Sequence, residues 1–258
     1  MSSTIKKGIG YRQEKWHSRS GHIMTTSNPV DWYNGFYADQ QASLTLWHKT
    51  CYEHLRVRIQ KGNRLLDVGC GLSPIIRQLA QSGRVETSDL YGIEQSSVAV
   101  RQLQEMAPGA NIRCGSAAEL DYSPGFFDYV IMLEVIEHLA EPRKTLEQIQ
   151  AVTKVGGFFI LSFPNYVNLP WLAARWLAEV LNRPSWVVLQ PIDRIYFSPE
   201  IIRMCREFGF RHLSTTGGTY FPPLLNRIEP DWLDRALNRM RLGHLSYHPL
   251  LVFEKTHP

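Results

Sequence analysis

Much that would narrow the function of this 258-residue chain is missing from it. None of its four cysteines, Cys51, Cys70, Cys114 and Cys205, forms a Cys-x-x-Cys pair. That spacing argues against a zinc ribbon and fits reduced thiols in a cytoplasmic protein. No apolar run reaches the roughly 18–20 residues that crossing a bilayer takes. Residues 1–10 carry no apolar core, so no signal peptide is expected. There is no internal repeat and no low-complexity tract. Excess charge is small: 28 Lys and Arg stand against 24 Asp and Glu, a net charge of +4. That permits contact with anionic lipid or nucleic acid but demands neither. The composition is 44% hydrophobic and 20% charged, which is that of a globular chain long enough for one large α/β domain.

Two familiar nucleotide signatures are missing as well. There is no Gly-x-Gly-x-x-Gly of the dinucleotide type, and no Lys-Ser/Thr follows a glycine turn, as a phosphate loop requires. What stands there instead is Leu65-Leu66-Asp67-Val68-Gly69-Cys70-Gly71. Residues 64–68 place apolar side chains on both faces, as in a central parallel strand. Gly69 and Gly71 permit a tight turn and a close ligand approach. Pro74 then suits the first turn of a helix over 74–81. Strand, glycine turn and helix form the setting in which an α/β sheet binds a nucleotide-like ligand beyond its strand ends.

The pattern continues along the chain. A second strand over 90–93 leads to Glu94, with Ser96 or Ser97 capping a helix to Met106. A carboxylate at that strand end can accept from both hydroxyls of a ribose, and Asp89 competes only if the strand ends earlier. A third strand over 112–115 leaves through Ser116 and Ala117, a fourth spans 127–133, and a helix follows Pro142. Gly156-Gly157 is read as the turn into a fifth strand over 158–163. A strand over 210–215 and an edge-type strand over 250–255 come later.

Asp-x-Gly-x-Gly resembles the first motif of the class I S-adenosylmethionine-dependent methyltransferases. The ordered run Glu134-Val135-Ile136-Glu137-His138-Leu139, proline, helix, Gly-Gly and apolar strand is similar to the same family, so the resemblance spans most of 64–165. It implies a Rossmann-like doubly wound sheet. Most strands would be parallel, with an antiparallel strand near the C-terminus, helices on both faces and helical insertions forming a lid. It also implies S-adenosylmethionine as cofactor, held by Asp67, Gly69, Cys70, Gly71, Glu94, Gln95, Ser116, Ala117 and Leu133. Asp67 would lie near the cofactor's amino group. Ser116 stands where the family often has an acid for the adenine, and backbone amides near Ala117 would supplement it.

Glu134, Glu137 and His138 carry the expected chemistry. On a helix their spacing would put all three on one face. The ubiquinone-biosynthesis O-methyltransferases have a similar trio, proposed to hold a divalent metal, Mg or Mn. On that reading the three are metal ligands; otherwise His138 is the catalytic base. Small-RNA 2′-O-methyltransferases add a downstream histidine, but Arg194 occupies the comparable place here, which weakens an RNA reading.

Outside this stretch, residues 1–60 are read as a flexible segment, 1–26, and a helical cap. The cap is rich in aromatics (Trp32, Tyr33, Phe36, Tyr37, Trp47) and includes a helix over 43–59. Residues 61–258 are read as the methyltransferase domain, with insertions at about 165–197 and 220–247. The first carries Trp171, Trp176 and Trp186 and is read as a lid for a small hydrophobic acceptor, with peripheral membrane contact as the lesser reading. The second is expected to hold an amphipathic helix with Trp232, Leu233, Ala236, Leu237 and Met240 on one face. The expected function is methyl transfer, preferably to oxygen. The alternatives are an RNA 2′-O-methyltransferase and a catalytically inactive cofactor-binding or partner protein of the same fold. A nicotinamide oxidoreductase is disfavoured by the glycine spacing.

Overall fold

The computed structural model of the chain describes residues 16–17, 23–24, 28–38, 40, 45–181, 192–221 and 231–257. A short antiparallel ladder pairs β1 (Trp16–His17) with β2 (Ile23–Met24). The rest is built on a seven-stranded sheet of β3 (Leu65–Val68), β4 (Leu90–Glu94), β5 (Asn111–Cys114), β6 (Phe127–Leu133), β7 (Thr153–Ser162), β8 (Phe210–Thr216) and β9 (Leu250–Lys255). The order across the sheet is β5-β4-β3-β6-β7-β9-β8. β9 alone runs opposite to the other six strands. The order reverses at β3, so the crevice beyond its carboxyl end is where such a sheet binds ligands.

β3 is central because all four of its residues are buried, with side chains alternating between two cores. Leu66 and Val68 join Val130, Met132, Phe159, Leu161 and Phe253 under α5 (Pro142–Val152) and α7 (Ser198–Glu207). Leu65 joins Ile131, Ile160 and Val252 on the other face. That face is covered by α2 (Leu46–Arg56), α3 (Pro74–Ser82) and α4 (Ser97–Met106). The helix starts follow local chemistry. Ser73 and Ser96 accept hydrogen bonds from the backbone N–H groups of Ile76 and Ala99, and Pro74 and Pro142 occupy first helical positions.

Three expectations change. The strand over 250–255 is interior rather than at an edge: β9 lies between β7 and β8, paired to both. Gly156 and Gly157 lie within β7, which starts at Thr153. A Cβ on Gly157 would come within 2.9 Å of the Lys154 carbonyl oxygen and 3.0 Å of that of Asp128, so only glycine fits where the β6–β7 register slips. In α8 (Asp231–Arg239) and the turn after it, Trp232 and Met240 are exposed, while Leu233, Ala236 and Leu237 are half-buried.

α1 (Pro29–Ala38) lies over α4. The Asn34 amide oxygen meets the Ser96 hydroxyl at 2.9 Å, and Gln102 donates to the Tyr37 carbonyl. The helix expected from Ser43 begins at Leu46, and residues 41–44 lie outside the described residues. So do Trp186, the apolar run 187–189 and, apart from β1 and β2, the segment 1–26 expected to be flexible. In α6 (Leu169–Val180), Trp171 stacks on Tyr247 at 4.0 Å, whereas Trp176 is 62% exposed. Among the described residues no helix is long and apolar enough to cross a membrane.

The interior place of β9 has a measurable consequence. Phe253 is fully buried, so Phe253→Ala should cost about 3–5 kcal/mol in a urea denaturation series. A cost below about 1 kcal/mol would fit an edge strand and contradict the pairing on both sides.

Candidate functional site

A cavity of about 520 Å³ opens at the carboxyl ends of β3, β4, β5 and β6. That is within the range of small-molecule sites. Its floor is the turn after β3. The N–H groups of Gly69 and Cys70 both donate to the Ile93 carbonyl, tying this turn to the end of β4. Gly69 and Gly71 adopt φ of 70° and 48°, where glycine is favoured. Space matters as much as torsion. A Cβ on Gly69 would meet the Val135 side chain at 2.6 Å, and one on Gly71 would meet the Tyr37 hydroxyl at 2.5 Å.

Glu94 joins the loops. Its Oε2 accepts from the Gly71 N–H at 3.0 Å and its Oε1 from the Ser96 N–H at 2.9 Å. Burial raises its pKa, and these backbone hydrogen bonds oppose the rise. Each oxygen keeps acceptor capacity for a ligand hydroxyl. Gly69, Cys70, Gly71, Glu94, Gln95, Ser116, Ala117 and Leu133 all line this cavity. Asp67 is not among the lining residues. It lies behind the turn and accepts from the Ser73 hydroxyl at 2.6 Å, with its pKa pushed by burial up to about 7. Ser116 accepts from the Ala118 N–H, so its hydroxyl already braces its own turn.

The opposite wall is built from Glu134 and His138. The sequence expectation of one helical face is corrected here. Glu134 sits at φ 56°, a left-handed conformation uncommon for a non-glycine residue, and only Ile136–His138 form a 3-10 turn. The three side chains therefore do not line up on one helical face. Glu134 accepts from the Ser162 hydroxyl at 2.7 Å and faces His248 Nε2 at 3.6 Å. Glu137 is buried, with its Oε1 at 3.4 Å from His138 Nε2 and its Oε2 unpaired. His138 Nδ1 meets the Ile192 carbonyl at 2.6 Å. A carbonyl only accepts, so Nδ1 carries the proton and Nε2 the lone pair. As placed, the residues do not suit a metal: among the described residues no three His, Cys, Asp or Glu side chains converge to hold one.

Burial also sets the charges. It pushes Glu134 up to about 8 and Glu137 well above the usual carboxylate range, the latter raised further by Glu134. It lowers His138 to about 4, against the hydrogen bond to Ile192, and lowers His248 to about 3. Burial thus favours the protonated form of both acids and the neutral form of both imidazoles.

The aromatic cap closes the cavity: Tyr33, Phe36, Tyr37, Trp47 and His48 line it. Of the first insertion's described residues, Ile192 reaches it, while Trp171 and Trp176 do not. Sequence reasoning missed Ile192, His48 and His248. Nothing local signals that His248, just before β9, stacks near Trp47 at 4.2 Å and faces Glu134.

Comparison with known proteins agrees with this geometry. A family model described as a methyltransferase domain matches residues 66–161, the span that builds the cavity floor and the Glu134 turn. The ubiquinone biosynthesis O-methyltransferase of Colwellia psychrerythraea is 26% identical over 216 residues, 83% of this chain and 78% of that protein. That of Chromobacterium violaceum is 28% identical, covering 62% of this chain and 70% of its own length. Among solved structures, magnesium protoporphyrin IX methyltransferase from Synechocystis PCC 6803, with bound S-adenosylhomocysteine, superposes with a TM-score of 0.61 at 17% identity. It covers 88% of this chain and 97% of its own. The [4+2]-cyclase SpnF shares the fold at a TM-score of 0.56 and 17% identity, over 85% of each chain. At such identities the structures show the fold, which hosts more than one chemistry.

The Gly71–Tyr37 contact is testable. Gly71→Ala should destabilise the protein by about 1–3 kcal/mol, from overpacking and the left-handed φ. The double variant with Tyr37→Ala should lose less than the sum of the two single costs in chemical denaturation. Strict additivity would contradict the contact.

Proposed function

The chain belongs to the class I S-adenosylmethionine-dependent methyltransferases, and on that premise we propose that it methylates a hydroxyl of a small, apolar, ring-containing acceptor. The observation that carries this reading is His138: neutral, in the cavity wall, with its Nδ1 proton committed to Ile192. The cofactor would lie over the Gly69–Gly71 turn. Glu94 would accept from its ribose hydroxyls, and backbone near Ser116 and Ala117 would border the adenine. The acceptor would enter between the aromatic cap and His138.

The sulfonium already activates the methyl group, so the protein's task is to align the acceptor oxygen and exclude water. Bound S-adenosylmethionine would supply the methyl group to the acceptor oxygen and would keep the carbon–sulfur electron pair as a thioether. His138 Nε2 takes the hydroxyl proton. Glu137 Oε1, at 3.4 Å from Nε2, is placed to accept from the N–H that results. The trio as placed supplies no metal set, so no step is assigned to a metal.

Two features favour a small hydroxylated ring. The mouth of the cavity is aromatic, with Tyr33, Phe36, Tyr37 and Trp47 on its lining. The curated relatives are named as O-methyltransferases of ubiquinone biosynthesis. The RNA alternative gains nothing: Arg194 spends its backbone N–H on the Glu137 carbonyl and its guanidinium on that of Ala140, so it braces the turn.

Two variants separate binding from transfer. In calorimetric titration with S-adenosylhomocysteine, Glu94→Ala should weaken binding by about 1–3 kcal/mol; unchanged affinity would sink the ribose assignment. His138→Ala should bind like wild type but lose roughly 10²–10⁴ in methyl transfer. The assay is S-adenosylhomocysteine release over a panel of catechol-type rings with and without alkyl chains. Transfer to amines but to no hydroxyl would contradict the oxygen reading. Binding without transfer to any acceptor would leave the inactive cofactor-binding protein standing.

A further inference from the structure

The proton on His138 is placed by a partner that belongs to the first insertion. Ile192 supplies the carbonyl, and the next residue, Asp193, forms a buried pair with Arg175 of α6 at 2.8 Å. The side chains of Arg175 and Asp193 are 9% and 11% exposed. Arg175 also donates to the Tyr166 hydroxyl at 2.8 Å and to the Asp193 carbonyl at 3.4 Å. On the other side, the Arg194 N–H donates to the Glu137 carbonyl at 2.9 Å. The short strap 192–194 is thus tied to α6 by a charge pair and to the His138 turn by backbone.

A neutral imidazole has two tautomers, and here two groups can accept its single proton: the Ile192 carbonyl, and the Glu137 carboxyl through whichever oxygen carries no proton. The Ile192 carbonyl faces Nδ1 at 2.6 Å, and Glu137 Oε1 faces Nε2 at 3.4 Å. While the carbonyl is held in place, Nδ1–H wins and the lone pair stays on Nε2. If the strap moves away, Nδ1 loses its acceptor. Nε2–H to Glu137 then becomes the better choice, and the nitrogen beside the reacting oxygen becomes a donor. A base in the wrong tautomer cannot take the acceptor's proton, however well it is packed.

We infer that Arg175 and Asp193 are positioning residues for methyl transfer: their buried pair clamps Ile192, whose carbonyl keeps His138 in the Nδ1–H tautomer. The inference rests on His138 acting as the base. It gives the first insertion a part in the chemistry, since α6 reaches the site through the strap rather than through its tryptophans.

The direct readout is the His138 tautomer. It is read by long-range ¹H–¹⁵N correlation on histidine-labelled full-length protein with S-adenosylhomocysteine bound. Wild type should show Nδ1–H. The paired variant Arg175→Met with Asp193→Leu removes both charges together and so avoids leaving one buried alone. Its His138 should shift toward Nε2–H or a mixture, with S-adenosylhomocysteine affinity within about twofold of wild type. Methyl transfer should fall roughly 10²-fold in kcat with little change in acceptor KM. Asp193→Asn, which keeps the shape, should show the same shift in smaller measure, and Arg175→Lys should retain the wild-type tautomer. A paired variant that binds S-adenosylhomocysteine normally and keeps Nδ1–H would overturn the clamp. Full transfer activity in His138→Ala would instead remove the base itself, and the positioning role with it.

Discussion

The site depends on one buried carboxylate, Glu94. It accepts from Gly71 on one loop and Ser96 on the next, so the turn after β3 and the start of α4 share a single anchor. Ser96 in turn caps α4 and meets Asn34 of the aromatic helix above. The floor, the second helix and the cap are therefore joined through a few hydrogen bonds around one residue that is 5% exposed. Unsatisfying any of them leaves a buried polar group without a partner, which costs more than the bond itself contributes. That coupling fixes the glycine turn relative to the helix start and the cap that border the cavity.

The opposite wall obeys a different constraint. Glu137 is buried and Glu134, His138 and His248 are largely so, and the lost solvation raises both acids and lowers both imidazoles, favouring their neutral forms. The left-handed backbone at Glu134 is what lets these groups diverge, toward Ser162 and His248 on one side and Ile192 on the other. Such strained positions persist when the surroundings over-determine them, and they concentrate at functional sites. Neutral groups with unspent lone pairs suit proton transfer better than they suit charge storage.

The parts of the molecule legible in the sequence are those whose cause is local. Gly69 and Gly71, the caps Ser73 and Ser96, and the prolines at helix starts mark their elements within a few residues. Glu94 is legible because a strand end and a fixed offset from the glycines suffice to place it. What stayed hidden is set by long-range pairing. No local pattern in Leu250–Lys255 distinguishes an edge strand from one inserted between two others. Nothing near His138 announces a carbonyl 54 positions away, and nothing near Glu134 announces His248. The helical spacing of Glu134, Glu137 and His138 misled for a local reason that spacing does not encode: a left-handed residue at the start of the run breaks the face it would have formed.

The most direct measurement is a crystal structure with S-adenosylhomocysteine bound. The account predicts the ribose hydroxyls on the Glu94 carboxylate, the homocysteine over Gly69–Gly71 and the sulfur facing the His138 wall. A ligand seated elsewhere, or one that leaves Glu94 uncontacted, would contradict it.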